Sequence, residues 1–145
     1  VIVSSDHGEA FGEHGLHGHG NSLYRMETHV PLVVRFPARV PASTRVAEPV
    51  TLRDVAATVL DAAGAAPGTH RLPGASWLPL LTRHAPAAGS GVVTEVSAGI
   101  NTAPSDPVSR GAMRSIITDS THYIRNGDGA EELFSWRRDP AESQD

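Results

Sequence analysis

Apolar positions along the 145 residues come in short runs, separated by glycine, proline and small polar residues. The first run, Val1-Ile2-Val3, is β-branched and stops at Ser4-Ser5, which predicts a buried strand. Ser22 to Thr28 has the composition of a short helix, and Pro31 closes it by disfavouring α conformation at Val30. Leu32 to Phe36 predicts a second buried strand ended by Pro37, and Val46 to Val50 a weaker extended stretch. Leu52, Val55, Ala56, Val59 and Ala62 recur at helical spacing, so a helix is expected from Leu52 to Ala63, started at Thr51 and stopped by Gly64. Ser76 is expected to cap a short turn that docks Trp77, Leu78, Leu80 and Leu81 on the core. Val92 to Val96, Met113 to Thr118, His122 to Arg125 and Glu131 to Trp136 predict strands, with turns at Asp119-Ser120 and Asn126-Gly127-Asp128-Gly129. His122 is expected on a strand surface. The pattern gives an α/β unit over residues 1–84, a Pro/Ala/Gly/Ser linker at 85–91 and a small antiparallel subdomain over 92–145.

Chemistry concentrates just after the first strand. Residues 1–20 hold four of the eight histidines, together with Asp6, Glu9 and Glu13. Carboxylate oxygen beside imidazole nitrogen suits a divalent cation, and Asp6-His7 is the candidate pair of metal ligands. Ligands of open α/β sheets bind beyond the carboxyl ends of strands, where this pair falls.

The string Ser5-Asp6-His7-Gly8-Glu9-Ala10-Phe11-Gly12-Glu13-His14-Gly15-Leu16-His17-Gly18-His19-Gly20, followed by Ser22-Leu23-Tyr24 and Val30-Pro31-Leu32, resembles the second metal-binding motif of the sulfatase family. Gly74-Ala75-Ser76-Trp77-Leu78-Pro79-Leu80-Leu81 and the closing Glu132-Leu133-Phe134 to Asp139-Pro140-Ala141-Glu142 are similar to further family segments. The resemblance implies an α/β, alkaline phosphatase-like sheet core with flanking helices and a small antiparallel C-terminal sheet. It implies Asp6 and His7 as metal ligands, with Ca²⁺ the family default and Mn²⁺ or Zn²⁺ left open by the imidazole. It implies His19 as the catalytic side chain that contacts the transferred group or protonates the leaving group. Glu9, Glu13 and His14 are candidates to orient those groups from behind. The Tyr24 to Pro31 segment departs from the family's Tyr-Glu-Glu-x-x-Arg-Val-Pro, replacing both glutamates and the arginine.

Composition narrows the partners. A net charge of −4 argues against a nucleic-acid groove, and no apolar run approaches transmembrane length. All twelve basic residues are arginine, a bias of the kind found in GC-rich bacterial genomes. With no cysteine, neither disulfides nor thiolate metal sites are available. No Cys/Ser-x-Pro-x-Arg nucleophile motif of sulfatases occurs. The chain therefore resembles the C-terminal part of a metal-dependent hydrolase of sulfate esters, small-molecule or glycan. It is expected to need an N-terminal half and to be inactive alone. A phosphodiesterase, phosphonate hydrolase or phosphotransferase of the same superfamily is the alternative, and a non-catalytic product the third.

Overall fold

Two small antiparallel strand pairs and one four-stranded antiparallel sheet carry the chain. In this computed structural model residues 1–65, 73–82, 91–100 and 102–145 are described. Strand β1 (Ile2–Ser4) pairs antiparallel with β4 (Leu32–Val34), Val3 standing opposite Val33. Between them β2 (Ala10–Phe11) and β3 (His17–Gly18) form a hairpin around a 3₁₀ turn, Glu13–Gly15. Helix α1 (Arg25–Thr28) follows and ends at His29, which bonds back to the Arg25 carbonyl. The strands β5 (Val92–Val96), β6 (Met113–Ile117), β7 (His122–Arg125) and β8 (Glu131–Phe134) lie side by side in chain order. Among the described residues no helix is long and apolar enough to cross a membrane.

The best-formed core lies where the N-terminal segment meets this sheet. Leu23 packs with Val108, Met113, Ile124 and Phe134, all buried, and Tyr24 and Val96 border them. The Tyr24 hydroxyl donates to Glu132 at 2.8 Å, and burial pushes its pKa up. A smaller cluster surrounds α2 (Val55–Ala62) and α3 (Leu78–Leu81). There the Thr58 hydroxyl accepts the Trp77 N–H, Asp54 accepts the Trp77 indole N–H, and Ser76 donates to Asp61. Asp54 and Thr58 thus work as packing anchors.

Several expectations are corrected. The first strand is not buried: Val1, Val3 and Val33 are 78%, 57% and 59% exposed, because no described layer covers that face of the β1–β4 pair. Of the weak strand or extended approach expected at Val46 to Val50, no strand forms among the described residues. The expected helix opens as a 3₁₀ turn, Leu52–Asp54, before α2 begins. His122 is 1% exposed, not on the surface; its Nδ1 donates to Glu142 at 2.6 Å. The alternation of β6 and β7 explains this, since Met113, Ser115, His122 and Ile124 all turn inward. Of the expected linker, all but Gly91 lies outside the described residues.

Candidate active site

The histidine loop hangs from the end of β1. The Ser4 hydroxyl donates to the Pro31 carbonyl at 2.9 Å, holding the strand end against the start of β4. The loop then turns through its own side chains. Ser5 Oγ donates to the His7 carbonyl at 2.7 Å, and Asp6 Oδ1 accepts the His7 N–H at 3.1 Å. These hydrogen bonds face Asp6 toward its neighbour, with Oδ2 lying 3.7 Å from His7 Nε2. Hydrogen bonds, foremost from its own backbone N–H and also from that of His7, hold the Asp6 carboxyl below the ordinary value.

His7 has a defined tautomer. Its Nδ1 sits 2.7 Å from the Gly8 carbonyl, which can only accept, so Nδ1 carries the proton and Nε2 keeps a lone pair. That hydrogen bond, foremost, raises the His7 pKa. A backbone carbonyl behind an imidazole is the usual arrangement for a metal-ligating histidine.

His19 is carried to the same place by the hairpin. Ala10 faces Gly18 and Phe11 faces His17; one step outward, that register sets Glu9 opposite His19. Glu9 Oε2 accepts from His19 Nδ1 at 3.1 Å, and Nε2 makes no hydrogen bond among the described residues. The His19 ring then stacks on His7, centroids 3.8 Å apart and planes 23° from parallel. Ligand atoms of His7, Glu9 and His19 all lie within 4.8 Å of one another. The three side chains remain open to solvent, with His7 41%, His19 52% and Glu9 39% exposed.

The structure therefore brings His7, Glu9 and His19 together, while Asp6, 87% exposed, lies beside His7 and outside that cluster. It uses Glu13 and His14 elsewhere. Glu13 accepts the Phe11 N–H at 2.7 Å and shapes the hairpin turn. His14, at φ +53°, stacks on Tyr24 at 3.8 Å, and its Nε2 bonds the Ala141 carbonyl at 2.9 Å. Glu27 escaped the sequence reading. It is 4% exposed and bonds Asn21 and Ser22, just beyond His19. Nothing in Arg25-Met26-Glu27-Thr28 sets it apart, since the helix is short and mostly polar.

The sulfatase family profile matches residues 1–65, the whole of this loop and its supports. Over that stretch the chain is similar to the sulfatase family. It is 40% identical over 83 residues to arylsulfatase K of Danio rerio, an alignment covering 57% of this chain and 15% of that protein. Among solved structures it is similar to a 2-O GAG sulfatase, with a TM-score of 0.81 at 22% identity, covering 100% of this chain and 31% of that one. It also resembles the phosphonate monoester hydrolase of Agrobacterium radiobacter, with a TM-score of 0.67 at 23% identity, covering 97% and 29%. The architecture is accordingly α/β and alkaline phosphatase-like. The chain spans only a small part of the length of the curated relatives it matches, 15% for the Danio rerio protein.

Proposed function

We propose that this chain supplies the metal-binding and ester-contacting loop of an enzyme that hydrolyses sulfate esters, small-molecule or glycan. One observation carries the proposal: the ring of His19, thirteen residues after Asp6, lies stacked on His7 beside that carboxylate. The likeness to arylsulfatase K over 83 residues supports the same class.

The donor set fits a divalent cation. Two donor atoms on one ion, each at about 2.0–2.6 Å, come to lie roughly 3–4 Å apart, and Asp6 Oδ2 and His7 Nε2 are 3.7 Å apart. Asp6 and His7 would hold the ion; Glu9 and His19 offer further donor atoms beside His7. Ca²⁺ is the resemblance's default, but it takes six to eight oxygens and would draw further donors from outside these residues. The imidazole nitrogen suits Mn²⁺ or Zn²⁺. Bound there, the ion would neutralise charge on the ester oxygens as the bond to the leaving group breaks.

The side chains divide the remaining work. Glu9 fixes the His19 ring through Nδ1, so that Nε2 faces the ester as a hydrogen-bond partner and proton carrier. Asp6 and the Gly8 carbonyl hold His7 with Nε2 outward. No Cys/Ser-x-Pro-x-Arg motif occurs in the 145 residues, so the nucleophile is to come from other residues and the chain by itself should not turn over substrate. The phosphonate hydrolase likeness keeps a second substrate class in play. Assaying an aryl sulfate against an aryl phosphonate with the complete polypeptide that contains this chain separates the two. Preference for the phosphonate would overturn the sulfatase assignment. Unchanged sulfate turnover in His19→Ala would remove the role given to that ring.

A further inference from the structure

Glu27 is a buried carboxylate for which the proposed chemistry has no use. Among the described residues its partners are loop donors rather than a cation. Oε2 accepts the N–H of Asn21 at 3.2 Å and of Ser22 at 3.4 Å, and Oε1 accepts the Ser22 hydroxyl. Its own main-chain carbonyl accepts the Gly8 N–H at 2.7 Å. One residue of α1 thus grips both arms of the histidine loop, directly after His7 and shortly after His19. The grip on the first arm is close: a Cβ at position 8 would meet the Met26 carbonyl oxygen at 2.0 Å. Burying a carboxylate is expensive unless its oxygens are well bonded, and here the bonds all run to the loop.

We infer that Glu27 is a positioning residue that sets the separation of His7 and His19. The inference rests on the metal-and-ester reading of that site, and it concerns ring placement rather than turnover. Glu27→Leu removes the acceptors at similar volume. Glu27→Gln preserves them, because its oxygen can take both N–H groups while its amide nitrogen donates to Ser22 Oγ.

The test uses the 145-residue chain, at a pH about two units above the ordinary histidine pKa so that the rings are neutral. Nuclear Overhauser contacts between the His7 and His19 ring protons are compared across the variants, and Zn²⁺ alone is titrated in parallel. Glu27→Leu should lose the ring contact and weaken Zn²⁺ binding about 10–100-fold, as removal of supports behind metal ligands does. Glu27→Gln should restore both. A ring contact that persists in Glu27→Leu, with cross-strand contacts of β5 to β8 intact, overturns the inference. Should Glu27→Leu fail to fold, Ser22→Ala decides: a weakened contact supports the role and an unchanged one overturns it. A wild-type chain that keeps the ring contact but takes up no Zn²⁺ would count against the metal reading, while the contact comparison would still judge Glu27.

Discussion

Replacing Gly8 by alanine adds a single methyl group where the loop lies flat on α1. That carbon would stand 2.0 Å from the Met26 carbonyl oxygen, 3.0 Å from its carbon and 3.1 Å from Glu27 Cα. All three are backbone atoms, so no side-chain rotation relieves the clash. The loop must lift, and the 2.7 Å bond from the Gly8 N–H to the Glu27 carbonyl breaks. Overpacking of this kind costs about 1–3 kcal/mol. Losing the hydrogen bond adds about 0.5–1.5 kcal/mol, for a total near 2–4 kcal/mol. Gly15→Ala is the matched control: φ is +72° there and nothing lies within 4 Å, so backbone strain acts alone, at about 1–2 kcal/mol. Urea unfolding of both variants, followed by far-ultraviolet circular dichroism, measures the difference. If Gly8→Ala costs no more than Gly15→Ala, the close approach is not what requires glycine at position 8.

Three further outcomes are expected. His122→Ala strands the Glu142 carboxylate, which is 2% exposed, and should destabilise by about 3–5 kcal/mol; a loss under about 1 kcal/mol in denaturant titration would contradict a buried pair. In the complete polypeptide Asp6→Ala should abolish turnover and weaken metal retention, whereas His14→Ala should chiefly lower thermal stability; wild-type turnover and metal content in the first variant would refute its assignment. Zn²⁺ uptake should weaken as pH falls, because a protonated imidazole cannot ligate. The Gly8 carbonyl and the Asp6 charge raise the His7 pKa above 6.5, so proton competition sets in at higher pH than for an unperturbed histidine. Calorimetric titration across that range checks the direction, and pH-independent binding would exclude His7 as a ligand.

What could be read from the sequence depended on how local the cause was. Strands β5 to β8 announced themselves through alternation and turn residues, and the Asp119-Ser120 turn joins β6 to β7 as expected. Asp6, His7 and His19 could be named because the string from Ser5 to Gly20 resembles a family motif; the hairpin that carries His19 beside His7 was not read from the sequence. Glu27 and His122 were not, because their partners make them what they are. One bonds Asn21 and Ser22 around a turn, and the other meets Glu142 twenty residues on. No periodicity marks a buried charge of this sort. The exposure of Val1, Val3 and Val33 was equally unreadable, since β-branched residues look alike whether a layer covers them or not.

The bonds around Glu142 tie distant parts of the molecule together. Its Oε2 accepts the Arg25 N–H at 2.8 Å, Oε1 meets His122, and the neighbouring Ala141 carbonyl holds His14. The tail therefore works as a buckle on the start of α1, the helix whose Glu27 bonds Asn21 and Ser22. A fusion partner, an affinity tag or a trimming protease acting near residue 142 would be felt more than a hundred positions upstream, and expression designs should leave that clasp shut.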